Sequence, residues 1–490
     1  MYGLSIHSSK YERKNVSKAL VISSATALAL ILLAGAFSAF SFTSTAATTP
    51  TFSPAFNLSN DAGKAKDPAV SNNGQNVYVA WTEGSGGIKF RASADGGVTW
   101  RPPTTSTAKK ISSSSGCSGV ASFPVMFTQF QSSSDVAVAW SQGGQVCVAV
   151  STNNGGTFAK AHLSISPSTG GITPAIAASG SDIYVSWYQA APSYCPVTKY
   201  VPANSGCIWV STSTNDGASW STPLEMNPSS NGEPQMVASG TNVYLTADGI
   251  YFAASYNSGS TWSAPVNLYS MGSLTTPCSP FCFGREPWIA ANGNDVYVVW
   301  ESSNPLQTTG TSPDYRDYGR MSTNGGKTWS PPLSNPYPQL MTGTIKDDWE
   351  PENAAFGNNV ILTFHDLGNN GIYMTSTTNA GTSWSTPALV SPKGQTSSFA
   401  HVFTSDGVND FVMWGQAISK GSTTWNAYVS YSGNSGSTWS APIDISNNAA
   451  GVAAGNQDVT LFALSSNGAN CFAAWTYTNG GTSQVYFASS

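Results

Sequence analysis

Charged side chains are scarce in this sequence. Only 9% of its 490 residues are Asp, Glu, Lys or Arg, against about 25% in typical globular proteins. Histidine occurs four times, and 20 basic against 25 acidic residues give a formal net charge of −5. A nucleic-acid-binding protein needs a basic face, so this composition argues against that class of partner.

Long apolar runs are absent after residue 42. The 24-residue apolar run at 19–42 follows four basic residues and precedes the small residues 44–47. This order is typical of a secretory signal peptide, although the run is also long enough to span a bilayer. We therefore expect residues 1–47 to be a signal peptide or an N-terminal membrane anchor. Residues 48–490 would then be extracellular or on the cell surface.

A stretch of eight residues, which we call the box, recurs seven times at intervals of 42 to 67 residues. Its pattern is S/T-x-D/N-x-G-x-S/T-W/F. Repetition at this period indicates a propeller or another repeat array. The third-position residues are Asp95, Asn153, Asn215, Asn257, Asn324, Asn379 and Asn434.

Each position of the box has a structural use. The Asp or Asn side chain can accept backbone N–H groups in an Asx-turn, and Asn also tolerates left-handed backbone. The glycine two residues later can adopt a positive φ, and the final Trp or Phe supplies an apolar anchor. The box is therefore predicted to be a rigid turn that requires no ligand.

The box resembles the Asp box, or BNR repeat, of sialidases and related β-propellers. The resemblance covers roughly residues 51–490. It implies that each box joins the third and fourth strands of a blade, away from any active site, so that it informs fold more than function.

The rest of each repeat supplies three more strands. An alternating segment such as Asn76–Trp81 precedes every box, and an eighth copy at Asn470–Trp475 has no box after it. Residues 51–58 match the end of a box with its fourth strand, as in residues 261–268. We predict an all-β propeller of four-stranded antiparallel blades, eight in number with six or seven as alternatives. Phe56–Ser59 would close the last blade beside Val485–Ala488.

All seven cysteines lie after residue 47, where export would let disulfides persist. Spacing suggests three pairs: Cys117 with Cys147, Cys195 with Cys207, and Cys278 with Cys282. Cys471, inside an apolar strand, is predicted to be a buried thiol. Metal binding by these cysteines is the weaker interpretation, because no histidine lies among them at ligand spacing.

The resemblance to sialidases implies an activity that the arginines argue against. That family clamps a carboxylate with three arginines from different blades, and uses a Tyr nucleophile with a Glu and an Asp acid/base. After residue 47 there are only five arginines. Arg91 and Arg101 flank the first box, while Arg285, Arg316 and Arg320 fall in one blade. We therefore expect no sialidase clamp.

Acids at the starts of the first strands form the alternative site. These are Asp67, Glu233, Glu286 and Glu350, with Asp347, Asp348 and Glu352 nearby. Because first strands line a propeller's channel, the four would converge near Arg285. They could cap strands, bind Ca²⁺ or another ligand, or act as catalytic carboxylates. Tyr315 and Arg316, in a polar loop, are further ligand-binding candidates.

Three classes of function fit these features. One is a monomeric module that binds glycans or cell-surface proteins, another is a glycoside hydrolase using the channel acids, and the third is a structural component of the cell envelope. The shortage of arginine favours binding or structure over sialidase activity.

Overall fold

The computed structural model describes residues 49–490 with gaps. The gaps are 61–63, 85–86, 113–116, 129–133, 164–172, 190–205, 227–231, 233, 270–283, 304–314, 333–338, 342–347, 367–370, 393–397, 418, 420–424, 447–457 and 480. Within the described part every regular element is a β-strand, and no helix of membrane-spanning length and apolarity occurs there.

The strands are short and follow one another in antiparallel order. They are β1 Phe56–Asn57, β2 Ala65–Asn73, β3 Asn76–Glu83, β4 Gly87–Ser93, β5 Lys109–Lys110, β6 Ala121–Thr128, β7 Val136–Gln142, β8 Gln145–Ser151, β9 Ala159–His162, β10 Pro174–Ser179, β11 Asp182–Gln189, β12 Cys207–Ser213, β13 Leu224–Glu225, β14 Gln235–Ser239, β15 Asn242–Ala247, β16 Tyr251–Ser255, β17 Val266–Asn267, β18 Gly284–Asn292, β19 Asp295–Ser303, β20 Tyr315–Ser322, β21 Gln339–Leu340, β22 Asp348–Phe356, β23 Asn359–Asp366, β24 Gly371–Thr377, β25 Ala388–Leu389, β26 Ser398–Ser405, β27 Asp410–Ala417, β28 Trp425–Ser432, β29 Ile443–Asp444, β30 Asp458–Asn467, β31 Asn470–Asn479 and β32 Thr482–Ser489.

These strands form eight four-stranded sheets, the blades of a propeller. Blades 1 to 7 are consecutive groups of four, from β2–β5 to β26–β29, and blade 8 combines β30, β31 and β32 with β1. The predicted fold class and the larger of the predicted blade counts are therefore confirmed. Each blade runs from a long first strand to a two- to four-residue fourth strand.

The second strands carry the largest core side chains. Trp81, Trp140, Trp187, Trp300, Trp414 and Trp475 are at most 1% exposed. The third strands are buried along nearly their whole length, because each blade is covered on both faces by its neighbours.

The ring is closed by the two ends of the described chain. In β1, Phe56 pairs with Phe487 and Asn57 with Tyr486 of β32. The Ser53 N–H donates to Ser489 O at 2.8 Å, and Leu58 N–H donates to Val485 O at 2.8 Å. The predicted pairing of 56–59 with 485–488 is thus confirmed, and β1 covers the outer edge of β32.

The seven boxes share one hydrogen-bond pattern. In each, the Asp or Asn Oδ1 accepts the N–H of the seventh-position Ser or Thr at 2.8–2.9 Å. The first-position hydroxyl accepts the glycine N–H at 2.8–3.1 Å. Positive φ angles fall on the fourth residue and the glycine, as at Ser258 (55°) and Gly259 (76°). The left-handed residue is therefore not the third-position Asn, whose tolerance of left-handed backbone was noted from the sequence.

Each box glycine also packs against the preceding blade. A Cβ placed on Gly326 would lie 2.1 Å from Phe252 Cε1 of blade 4, and one on Gly97 would lie 2.5 Å from Phe487 of blade 8. The same close approach occurs at the other five boxes, at 2.3–2.6 Å from Phe90, Val150, Thr212, Met321 or Met374. The glycine is thus required by blade-to-blade packing as well as by backbone conformation.

Two of the five arginines are buried and form hydrogen bonds to the neighbouring blade. Arg91 Nε donates to Leu58 O at 3.0 Å, and Arg320 Nε donates to Leu268 O at 2.8 Å. Each guanidinium also bonds the carbonyls of the Pro-Pro pair after its own box. Both arginines are 0% exposed. Because both side chains are fully buried, neither arginine can reach a ligand.

The disulfide predictions are partly confirmed. Cys117 and Cys147 form a disulfide within blade 2, and Cys471 is a buried free thiol. Cys207 is disulfide-bonded, but Cys195, Cys278 and Cys282 lie outside the described residues. The pairings of Cys195 with Cys207 and of Cys278 with Cys282 remain predictions.

We expect deletion of residues 48–60 to lower the melting temperature by about 10 °C or more, or to cause aggregation, because it removes β1 and exposes the edge of β32. Thermal unfolding of the truncated and parent chains measures this. Removing only residues 1–47 is the control and should leave melting unchanged. A chain lacking 48–60 that melts like its parent would refute closure by β1.

We expect Asn324→Ala to destabilise the protein by about 1–3 kcal/mol, and Gly326→Val by about 3 kcal/mol or more. Asn324→Ala loses the hydrogen bonds that the Asn324 side chain makes within the turn. Gly326→Val adds a clash with Phe252 and places a β-branched residue at a φ of 84°. Denaturant unfolding measures both. Lys327→Ala, at the exposed next position of the same box, is the control, and equal stability of Gly326→Val and Lys327→Ala would contradict this role of the glycine.

Candidate functional site

Four first strands are interrupted by the same bulge. The residue before a proline has positive φ at Asp67 (54°), Phe123 (57°), Glu286 (50°) and Glu350 (55°), and the ladder skips there in β2, β6, β18 and β22. Proline has no N–H to lose from the ladder. Left-handed backbone at these non-glycine residues is uncommon and tends to occur at functional sites. Each of these four prolines is the fourth residue of its strand.

The bulges and the boxes lie on opposite faces of the propeller. Box residues bond the turns between first and second strands, as in Gly96 N–H to Gln75 O and Gly325 N–H to Asn294 O. The bulges lie near the other ends of the same first strands. We call the face that carries residues 67, 123, 286 and 350 the bulge face. The loops between second and third strands open there too.

Arg285 is the fixed cation of the bulge face. Its Nε and Nη2 donate to Glu301 Oε1 at 2.9 and 2.5 Å, and its guanidinium lies 4.8 Å from the ring centroid of Tyr315. The Arg285 side chain is 29% exposed, whereas Glu301 is 0% exposed. A buried carboxyl group below and an aromatic ring beside it therefore orient a guanidinium that solvent still reaches.

Asp248 of blade 4 completes the surroundings of Arg285. It accepts the Glu286 N–H at 2.9 Å and so supports the bulge at that residue from the neighbouring blade. Burial raises the pKa of Asp248 to about 6, against the lowering effect of that hydrogen bond. Glu286 itself is exposed.

Glu301 is influenced by acids from two blades. Burial and the negative charge of Glu286 raise the pKa of Glu301 to about 8, although Arg285 opposes this and Glu350 adds to it. Its Oε2 atom is buried and has no hydrogen-bond partner among the described residues. Glu286, Glu301 and Glu350 thus share one electrostatic neighbourhood. We refer to Asp248, Arg285, Glu286, Glu301, Tyr315 and Glu350 as the Arg285 cluster.

The other predicted acids are dispersed. Asp67 lies on blade 1, four blades from Arg285, and is 1% exposed. Burial raises the pKa of Asp67, and Lys66 lies 3.5 Å from its carboxylate. Glu233 and Asp347 lie outside the described residues, as does the side chain of Asp348. Convergence of all four channel acids therefore remains a prediction, while Glu286 and Glu350 share the Arg285 cluster.

Glu352 and His401 have structural partners. Glu352 Oε2 accepts the Phe403 N–H at 2.7 Å, which joins blade 6 to blade 7. His401 Nε2 and Thr363 Oγ1 are 3.1 Å apart. Burial and the nearby His401 lower the pKa of His365 to about 3, so His365 is neutral at physiological pH.

Tyr315 and Arg316 begin strand β20 and are both half-buried. They were expected on a loop, so strand β20 starts earlier than their polar character suggested. Arg316 lies opposite Ser302 in the ladder. Tyr315 reaches Arg285, so one of these two ligand-binding candidates belongs to the Arg285 cluster.

Asp248 and Glu301 were not identified from the sequence. Glu301 could have been identified from the sequence, because it is an acid directly after the recurrent second-strand Trp. The other blades with this Trp have Thr82, Ser141, Tyr188, Gly415 or Thr476 at that position. Asp248 follows a second strand in a turn, where an acid is ordinary, so only the contact between blades reveals it.

The described residues contain no group of three or more His, Cys, Asp or Glu side chains arranged to hold a metal ion. The calcium hypothesis concerns the ring of Asp67, Glu233, Glu286 and Glu350 with the acids near it, and the side chains of Glu233, Asp347 and Asp348 lie outside the described residues. It remains a prediction.

No family model and no curated protein matches the chain. Solved structures similar to it include a sialidase from Trypanosoma rangeli, with 10% identity, a TM-score of 0.40 and coverage of 90% of this chain. Another is an α-L-arabinofuranosidase from Fusarium graminearum in complex with an iminosugar inhibitor, with 13% identity, a TM-score of 0.41 and coverage of 78% of this chain and 96% of that one. This chain spans 60% of the sialidase. The propeller assignment rests on the strand pairing.

We expect the protein to lose stability as the pH rises from about 5 to about 8. Glu301 and Asp248 have folded pKa values of about 8 and about 6, raised above their ordinary 4.5 and 3.8. Their favourable contribution is complete below the ordinary values and is lost as the pH rises through the folded ones. The change should be on the order of 3 kcal/mol.

Denaturant unfolding at several pH values measures this effect. Glu301→Gln removes one of the titrating groups and should flatten the profile. Glu83→Gln, which removes the carboxylate 3.0 Å from Lys89 on blade 1, is the control and should have the same pH dependence of stability as the parent. A profile of Glu301→Gln as steep as that of the parent would contradict the assignment.

Proposed function

We propose that this protein is an exported propeller that binds a glycan on its bulge face at the Arg285 cluster. The observation that carries the proposal is the fixed guanidinium of Arg285, which Glu301 and Tyr315 orient while it stays 29% exposed. A few oriented polar groups at a loop-lined face are typical of ligand sites on rigid scaffolds. A structural ion pair alone would not need the exposed Glu286 beside it.

The chemistry of the cluster favours sugar hydroxyl groups. Carboxylates accept hydrogen bonds and a guanidinium donates them, so together they can hold a ligand group that does both. Tyr315 adds an aromatic surface. Sugar rings present hydroxyl groups beside apolar C–H faces, which complements this combination.

The charge of the cluster favours a neutral or amino sugar over an acidic one. Arg285 is surrounded by Asp248, Glu286, Glu301 and Glu350, and Arg91 and Arg320 are sequestered between blades. At the cluster a ligand carboxylate would meet the guanidinium of Arg285 among several acids. This supports the expectation that a sialidase-type carboxylate clamp is absent.

A glycoside hydrolase is the second candidate. It is favoured by Glu286 and Glu350, two acids from adjacent blades that both act on Glu301. Glu301 is fully buried and cannot touch a substrate, so these two would have to supply the acid and base chemistry.

Export is proposed from the sequence of residues 1–47. The basic residues and the apolar run at 19–42 support secretion, with the run either removed or kept as a membrane anchor. The disulfide between Cys117 and Cys147 is compatible with an oxidising compartment.

We expect a glycan array to show binding to neutral or amino sugars, and Arg285→Ala to weaken it by about 10- to 100-fold, the usual effect of losing a hydrogen bond to a charged group. Arg101→Ala, an exposed arginine beside the first box, is the control. Binding to sialylated glycans alone, or binding unchanged in Arg285→Ala, would contradict the proposal.

The same preparation separates binding from hydrolysis. A fluorogenic sialoside should release no product. Turnover of a neutral aryl glycoside that is abolished in both Glu286→Gln and Glu350→Gln would establish the hydrolase instead.

A further inference from the structure

One turn on the bulge face has a strained backbone. Among the described non-glycine residues with positive φ, Ile250 (56°) is the only one with a β-branched side chain. Left-handed backbone is costly for such a residue, so it persists only where the surrounding contacts enforce it. Ile250 is 0% exposed and ends the three-residue turn that joins strands β15 and β16 of blade 4. We call residues 248–250 the blade 4 turn.

The blade 4 turn holds the first residues of β18 in blade 5. Asp248 Oδ1 accepts the Glu286 N–H at 2.9 Å, and the Gly249 N–H donates to Gly284 O at 3.4 Å. The side chain of Ile250 packs against Gly284. These contacts at the first and third residues of β18 therefore fix the backbone on both sides of the residue between them.

Two glycines make room for these contacts. A Cβ added to Gly232 would overlap Asp248 Oδ2, and one added to Gly284 would overlap Ile250 Cγ1. Neither glycine lies in the left-handed region, so conformational freedom does not explain its presence. The close approach of the blade 4 turn explains glycine at both positions.

Arg285 lies between the two residues that the blade 4 turn holds. Its guanidinium donates to Glu301 and lies over the ring of Tyr315, and both contacts require its backbone to stay in place. Glu286 is exposed at a bulge whose N–H group is bonded to Asp248. Movement of the blade 4 turn would therefore displace both Arg285 and Glu286.

The bulge at Phe123 is supported from the preceding blade in the same way. Its N–H donates to Thr82 Oγ1 of blade 1 at 3.2 Å, just as the N–H of Glu286 donates to Asp248 of blade 4. A neutral hydroxyl group is thus the acceptor at one bulge and a carboxyl group at the other. Support of a bulge therefore requires an acceptor oxygen, whereas it does not require a charge.

We propose that Asp248 and Ile250 are positioning residues of the ligand site, which keep Arg285 and Glu286 in the conformation that binds the sugar. This inference rests on the proposed glycan site at the Arg285 cluster. Asp248 acts by accepting a hydrogen bond and Ile250 by packing on Gly284, so neither needs to contact the ligand.

The first test requires no ligand. Hydrogen–deuterium exchange is measured by mass spectrometry on peptides that contain the Glu286 amide. Asp248→Ala removes the acceptor and should speed this exchange by about 10-fold, whereas Asp248→Asn keeps an acceptor oxygen and should exchange like the parent. Asp406→Ala, which removes the acceptor of two N–H groups in a turn of blade 7, is the control. Equal exchange in Asp248→Ala and the parent would overturn the inference.

The second test measures glycan binding, with the array run as a concentration series. Gly284→Ala adds a methyl group at a buried position, so it changes no group that a ligand can reach. It should weaken binding by about 10-fold, as should Asp248→Ala, whereas Asp248→Asn should stay within about threefold of the parent. Gly84→Ala is the matched control and should bind normally, because its Cβ would lie 2.7 Å from Lys64 Cβ on blade 1.

The outcomes separate this inference from the proposed function. A parent chain that binds no glycan would overturn both. Binding that is lost in Arg285→Ala but kept in Asp248→Ala and Gly284→Ala would overturn only the inference. Equal loss in Asp248→Asn and Asp248→Ala would also overturn it, because Asp248 would then act through its charge. If Gly284→Ala does not fold, the two Asp248 variants decide the question alone.

Discussion

The close approach of each box glycine to the preceding blade is the constraint on which this propeller depends. At all seven boxes an added Cβ would lie within 2.6 Å of a third-strand side chain from the blade before. The aromatic residue of the box reinforces the contact, since Trp100, Phe158 and Trp329 pack edge-on against Phe487, Phe90 and Phe252 with centroids 4.8–5.0 Å apart. The turn within one blade is therefore also the surface against which the neighbouring blade packs, so adjacent blades stabilise each other. Blade 8 has no box of its own, and Phe52 packs there against the cluster that contains Tyr431.

Much of the fold could be predicted from the sequence because its signals are repeated. The boxes, the second strands and the match of residues 51–58 to a box end together gave the blade count and the closing strand. What could not be predicted concerns side-chain direction. In β4 almost every position is buried on one face or the other, so nothing in the residue pattern of this strand shows that Arg91 is buried and bonded to the neighbouring blade. The bulge at Glu286 adds residues to one strand only, and such a shift leaves no mark in the sequence other than the proline.

The candidate site was predictable to the extent that its residues share a repeat position. Glu286 and Glu350 occupy equivalent places before proline, and Arg285 is adjacent to one of them. Asp248 and Glu301 come from other positions and are joined to Arg285 only when blade 4 meets blade 5. Their raised pKa values follow from burial, which depends on that meeting. A single sequence therefore indicates Arg285, Glu286 and Glu350 of the Arg285 cluster and misses Glu301 and Asp248, which support them.

The closing strand also determines how mechanical force would enter the molecule. Tension applied through residues that precede Ser53 would first reach the hydrogen bond from Ser53 N–H to Ser489 O, then the Phe56 and Asn57 pairs, one after another. This is a peeling geometry, in which bonds are loaded singly. Blades 1 to 7 are each built from consecutive strands, so they would bear load only after the seam had opened. If the propeller were pulled from its N-terminal side, the contact between β1 and β32 would be the first part of the ring to break.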